Sequence, residues 1–385
     1  MRQHSSDVVG TLPVLPASRG RILWVDYAKA FAIIGVFVMH GAAPDGLSAV
    51  VSAYDMMVFF FLSGFVFSTR KYRSFPPFLR NKVRTLIVPG LFLSVVPFLV
   101  ERLIGLLHGE TWSPAAYLTW FAGYAINLRG HDGFGVIPWF LTCLFMMEVG
   151  GYALLRFLDR FGLRGRRRDA ALVVAAVIAV TLGWTYSAYV YIVLPWGCDV
   201  ALSMFGFFVL GILLRRHARA LRRALSAWVI LPAAMVLIVS VWVNGHVFHG
   251  SVNPYMNDLG NPACFVVGAV SGVWMVLAVS RLIADVPAMN RALGGTLSYW
   301  GRNTLVFYCV NAPIYPSLIP WLLSLIGLDT TSSDIAMRMA CCFGAILINL
   351  AICTPCAEIM NRCLPGILGK TQRSSAVAAY DGAIR

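Results

Sequence analysis

Residues 21–40 read RILWVDYAKAFAIIGVFVMH. From 23 to 42 the chain is apolar and long enough to cross a bilayer, whose hydrocarbon core takes about 20 helical residues. The same stretch carries three ionisable side chains, Asp26, Lys29 and His40. An ionisable group inside a span costs several kcal/mol unless it is paired or solvated, so each is a functional hypothesis. Whether the stretch is a membrane helix therefore decides both the fold and the chemistry.

The rest of the chain answers the first question. Of its 385 residues 59% are apolar and 12% charged, and the mean hydropathy is +0.74. No soluble surface has that composition. Apolar stretches of crossing length recur near 50–69, 85–107, 136–158, 169–193, 199–214, 224–243, 262–283, 302–325 and 335–360, which with the first makes ten. A further apolar piece, 114–127, is short, aromatic and bordered by Trp112 and Trp120, and reads as interfacial or re-entrant.

Charge placement supports ten spans independently. Net charge is +14, from 31 Lys and Arg against 17 Asp and Glu. With ten spans, 27 basic residues fall on the side of the termini, and only Arg102, Arg129 and Arg338 on the other, with Lys29 inside a span. An eleventh span at 114–127 would destroy that asymmetry, which follows the positive-inside rule. The expectation is an all-α, polytopic integral membrane protein with N- and C-termini cytoplasmic. Residues 1–22 form a cytoplasmic segment, 23–360 one ten-span domain and 361–385 a tail. Topology explains the positive charge, so nucleic acid is not an expected partner. Residues 1–20 lack the apolar core of a cleavable signal, and the first span is expected to direct insertion.

Lys29 and His40 are eleven residues apart, within about 20° of whole helical turns, so they share a face and lie about 16 Å apart along the axis. Asp26 is within i,i+3 reach of Lys29. This places the lysine near the cytoplasm and the histidine near the outer boundary. Histidine is the side chain best suited to take a proton from a hydroxyl near neutral pH. Asp55, at the outer end of the second span, lies at a similar depth and is the expected orienter of the ring.

Other features have plainer readings. Glu148 and Glu358 are intramembrane acids expected to pair with neighbouring bases. Nine cysteines, almost all in apolar runs, do not make a disulfide framework, and the Cys353/Cys356 pair reads as packing. Gly268 and Gly272 form a GxxxG pair expected to pack helices. The basic run from Arg70 to Arg84 would suit anionic phosphates, though topology alone asks for basic loops. Two long outer connections, 108–135 and 244–261, mix aromatic residues with Asn, His and Asp, as a surface that stacks on and hydrogen-bonds polyhydroxylated ligands would. No nucleotide-binding glycine loop and no metal-spaced cluster occurs, and no metal is expected.

The opening stretch, followed by YDMMVFFFLSGFVFS, resembles the start of the membrane acyltransferase 3 family, in particular its fucose 4-O-acetylase-like branch. FLRNKVRTLIVPG, IPWFLTCLF, SYWGRNTLVFYCVNAP and the closing CLPGILGK agree in order, so the resemblance covers roughly 20–370. It implies a bacterial inner-membrane, multi-pass enzyme that moves an acyl group, usually acetyl, from cytoplasmic acyl-CoA to a hydroxyl of an envelope or exported carbohydrate or glycolipid. Lys29 and His40 fall on the family's basic residue and first-span histidine, and Ser63 and Gly64 on its SG pair, where small size would let an acyl chain pass. Asn311 stands where relatives often carry histidine, and so does Asp55. The glutamate of other branches' W-S-L-x-x-E sequence is not carried over, because Trp139 is followed by Phe140, Leu141 and Thr142.

The expected mechanism makes His40 the general base, with Asp55 beside it. Acyl-CoA approaches from the cytoplasm, its phosphates near Arg80, Lys82 and Arg84, with Asp26, Lys29, Ser63 and Gly64 along the donor side. Trp139, Tyr308 and Asn311 are the expected acceptor contacts. Transient acylation of the histidine is an equally open route. A glycan or small-anion transporter, or flippase, is the rival reading of polar residues on one intramembrane face.

Overall fold

The computed structural model describes residues 22–369 apart from 108, 110, 132–135 and 317. The expected cytoplasmic segment before residue 22, and the tail from 370 on, lie outside the described residues. Within them the fold is all-α, the sole β feature being an isolated bridge between Asn253 and Asp258.

In chain order the helices are α1 (Leu23–Met39), α2 (Asp45–Ser52), α3 (Asp55–Val66), α4 (Phe75–Lys82), a π turn at Val83–Ile87, α5 (Val88–Leu107), α6 (Pro114–Ile126), α7 (Trp139–Arg160), α8 (Gly165–Tyr189) and α9 (Cys198–Arg216). Then follow α10 (Ala218–Ala224), α11 (Ile230–His246), α12 (Pro262–Asp285), α13 (Pro287–Arg302), α14 (Thr304–Ile314), α15 (Leu318–Ser324) and α16 (Ile335–Cys363). A few of their starts are capped by side chains. Asn261 accepts from the backbone N–H groups of Ala263 and Cys264 ahead of α12, and Asp334 from that of Met337 ahead of α16, satisfying donors that a helix leaves open at its first turn.

Helices occupy all ten predicted intervals. Among the described residues seven are long and apolar enough to cross a bilayer, or eight if the bent pair α14 and α15 is one span. The other two intervals hold α1 and α5, of 17 and 20 residues. The short apolar piece folds as α6, whose 13 residues extend about 20 Å, too little to cross. The connection 281–302 departs from the sequence reading. Instead of a plain basic link it contains α13, whose Tyr27-facing side packs along α1. Tyr27 Oη donates to Asn290 Oδ1 at 2.6 Å, and Gly301 is so tight against α1 that a Cβ there would stand 1.9 Å from the Asp26 carbonyl oxygen.

The layout follows from which helices are apolar on every side. α1 is packed by α3, α12, α13, α14 and α16, and its residues from Trp24 to Val38 are nearly all buried. By contrast α8, α11 and α16 turn much of their apolar surface outward, as at Val177, Ile238 and Phe343, where lipid takes the place of a core. Between lipid-immersed helices no hydrophobic drive remains, so close approach depends on small residues. α3 and α9 show this twice. A Cβ at Gly64 would lie 1.9 Å from the Phe208 carbonyl oxygen, and one at Gly211 2.1 Å from that of Phe61. Gly272 of the GxxxG pair likewise faces Tyr54, which a Cβ would meet at 2.3 Å.

Candidate active site

At its C-terminal end α1 stops on His40, and Ala42 has a left-handed φ of 56°. This turn lets the chain fold back into α2 and opens a cavity of about 650 Å³, inside the usual size range of small-molecule sites. His40, Asp55, Trp139, Tyr308 and Asn311 all line it. They come from α1, α3, α7 and α14, whose ends converge here. Five of the residues singled out in the sequence thus share one chamber.

His40 is half-buried, and its ring stacks on Tyr315 with centroids 4.0 Å apart and planes 21° from parallel. Among the described residues its nitrogens have no hydrogen-bond partner. No hydrogen bond joins it to Asp55, the expected orienter, among the described residues. The carboxylate is buried and its Oδ1 accepts from the Met56 backbone N–H at 2.6 Å, so it is committed to the first turn of its own helix, where a negative charge is favoured. Gly35 brings α1 close to it, since a Cβ there would lie 3.1 Å from Asp55 Cβ. Asn311 is buried and donates to Asn349 Oδ1 at 2.7 Å. Tyr308 meets Phe140 edge to face at 5.4 Å, and Trp139 meets Tyr255 at 6.0 Å.

The remaining predicted residues do not line this chamber. Gly64 is filled against α9, so it serves helix contact and leaves no room for an acyl chain; Ser63 beside it is half-buried. Asp26 is buried where α13 crosses α1, and Lys29 lies one helix turn further in. Arg80 and Arg84 are exposed. Lys82 is turned inward, its Nζ 2.7 Å from Glu148 Oε1, the pairing expected of that acid. Glu358 likewise pairs with Arg362, at 2.5 Å. No group of three or more potential metal ligands occurs among the described residues.

A family model described as an acyltransferase domain matches residues 22–354. The chain belongs to the membrane acyltransferase 3 family. Comparison with curated proteins and with solved structures gives no match. Membership makes the protein a membrane acyltransferase, and the matched span contains the whole chamber.

Two parts of this acyltransferase's chamber escaped the sequence reading. Tyr315, the ring under His40, lies seven residues beyond Tyr308, past Pro313, and no local pattern marks it. Arg129 lines the chamber from the outer connection 108–135, and Asn253, Pro254 and Tyr255 line it from 244–261. Arg129 Nη1 donates to Asp199 Oδ1 at 2.6 Å, Nη2 to Oδ2 and Nε to the Tyr255 carbonyl oxygen. Both charges are buried. The fork ties the two outer connections to the start of α9, and Gly130 N–H adds a bond to Tyr255 Oη at 2.9 Å. A signal existed, because Arg129 is one of three basic residues on the side that topology keeps nearly free of them.

Proposed function

We propose that this acyltransferase moves an acyl group, acetyl in the simplest case, from cytoplasmic acyl-CoA to a hydroxyl of an envelope or exported carbohydrate, with His40 as general base. The observation that carries this reading is a half-buried imidazole facing an outer chamber with both nitrogens unengaged among the described residues. An acceptor hydroxyl that hydrogen-bonds to the ring can pass its proton there as its oxygen attacks the thioester carbonyl. The thiolate of the departing donor then takes up a proton, and the ester remains on the acceptor.

The chamber suits a polyhydroxylated acceptor. Trp139, Tyr255 and Tyr308 offer ring faces for stacking, and Asn253 and Asn311 offer amides. The donor is a substrate rather than a resident group, and its thioester is already activated, so a positioned base and donors to the developing oxyanion suffice. Direct transfer and a transient acyl-imidazole both fit this chemistry. The setting is the inner membrane of a bacterium, with the chamber on the outer face and the basic loops in the cytoplasm.

Purified protein in lipid, given radiolabelled acetyl-CoA and a panel of glycans, tests this directly. Label is expected on acceptor hydroxyls with the wild type and not with a folded His40→Ala variant. Transfer by the alanine variant at the wild-type rate sinks the role of His40. Glycan counterflow without any acylation overturns the enzyme reading in favour of transport.

A further inference from the structure

A second cavity adjoins the chamber. It encloses about 330 Å³, at the lower end of the size range of small-molecule sites. Met39, Ser52, Asn253 and Pro254 line both cavities and form a common wall. The other sides of this annex include α2, through Ala49, and α11, through Ser240 and Asn244. Among the described residues no charged side chain lines it.

The inward face of α11 is the unusual part. The helix turns Ile238, Val239 and Trp242 outward, each more than half exposed, as a lipid-facing helix does. Its buried side carries Ser240 and Asn244, one turn apart on the same face and only 8% and 3% exposed. Asn244 Oδ1 accepts from the Asn261 backbone N–H at 2.9 Å. That bond fixes which way the amide points, and Nδ2 is left with two donors and no acceptor among the described residues. Ser240 Oγ has no partner there either. Unmet polar groups inside a bilayer are costly, and these two line a cavity, so they are matched to an occupant that hydrogen-bonds. The loop between the cavities is already set. Asn253 and Asp258 exchange backbone bonds at 2.8 and 3.1 Å, and Asn253 Oδ1 accepts from the Met256 N–H at 3.2 Å. Met39, half-buried and unbranched, is the side chain of the common wall that can yield.

We propose that the annex is a second sugar site: the acceptor is an uncharged glycan of at least two units, one presenting its hydroxyl to His40 and the next lying across the common wall against Ser240 and Asn244. This rests on the acceptor reading above and deepens it. Sugar hydroxyls both donate and accept, so the second unit can donate to Ser240 Oγ while accepting from Asn244 Nδ2. An acyl chain would leave both groups unmet. A carboxylate or phosphate would find no cation, since Arg129, the guanidinium of the chamber, is already engaged by Asp199. Binding of the remote unit holds the reacting one in place, which raises the efficiency of transfer as well as affinity.

The test measures transfer from radiolabelled acetyl-CoA by the full-length protein in lipid, for wild type, Ser240→Ala and Ala49→Phe. The acceptors are the methyl glycosides of glucose, galactose and mannose and the corresponding disaccharides. Ala49 is exposed on α2, so a phenyl ring there fills the annex from its rim without entering the core. In the wild type a disaccharide is expected to exceed its monosaccharide in kcat/KM by about tenfold. That ratio should fall to about one in Ala49→Phe, and by about two- to tenfold in Ser240→Ala, the worth of one hydrogen bond. A defect of folding or packing lowers both acceptors alike, so equal loss overturns the proposal, as does a wild-type ratio near one. A disaccharide with glucuronate as one unit is expected to be about tenfold poorer than its neutral counterpart, and parity overturns the proposal. If Ala49→Phe instead abolishes transfer from hexanoyl-CoA and leaves the acceptor ratio as it was, the annex takes the acyl chain and the proposal falls. All these failures leave the acceptor reading intact, whereas absence of label on every saccharide removes that reading and this proposal together.

Discussion

Two polar clusters of the bundle are built on opposite principles. At the end of α1 His40 faces an open chamber of about 650 Å³, its ring held by an aromatic neighbour. Between α4 and α7 Lys82 and Glu148 are closed on each other at 2.7 Å, beside the rings of Phe67 and Phe78. Under the proposed function an acceptor enters a preformed chamber.

The comparison can be broken or sharpened by substitution. If the outer end carries the chemistry, folded His40→Ala loses activity by about 10²- to 10⁴-fold, the usual worth of a general base, in the labelled transfer assay. A loss under tenfold would move the chemistry elsewhere. Arg129→Ala leaves Asp199 buried and unpaired, which is expected to cost about 3–5 kcal/mol of stability, read as a lowered unfolding temperature. Arg129→Ala with Asp199→Ala should recover part of it, and equal loss in single and double variants would refute a fork that holds the chamber's roof. Tyr315→Leu removes a stacked ring worth about 1 kcal/mol, so turnover is expected to fall about fivefold with the fold intact. The smallest effect belongs to an exposed basic side chain. Arg80→Gln should change the donor KM by about twofold at most, because a solvated charge contributes little.

The helical class and the positions of the apolar helices were legible because membrane insertion sums hydrophobicity along a continuous segment, a property that needs no knowledge of neighbours. α13 was missed because its apolar side is a partial stripe beside Arg291 and Arg302, below what a span requires. His40, Asp55, Trp139, Tyr308 and Asn311 all line the chamber; Asp55 was legible through its depth, Trp139, Tyr308 and Asn311 through motif resemblance, and His40 through both resemblance and helical phase. What they do to one another was not. Asp55 points its carboxylate at its own backbone, a choice set by the helix start rather than by depth. Gly64 was read as space, yet the space is taken by Phe208 from a helix more than 130 residues later in the chain. The Arg129–Asp199 fork joins residues 70 apart, and such pairs exist only after α9 and the outer connections have met.

Stacking His40 on Tyr315 has a further consequence. Imidazole rings in reaction centres are commonly fixed by a carboxylate or carbonyl that dictates which nitrogen bears hydrogen. A ring face dictates the plane alone, so neither tautomer is imposed. Under the proposed function His40 accepts at one edge while the other sheds its proton, and the choice passes to whichever hydroxyl the acceptor presents.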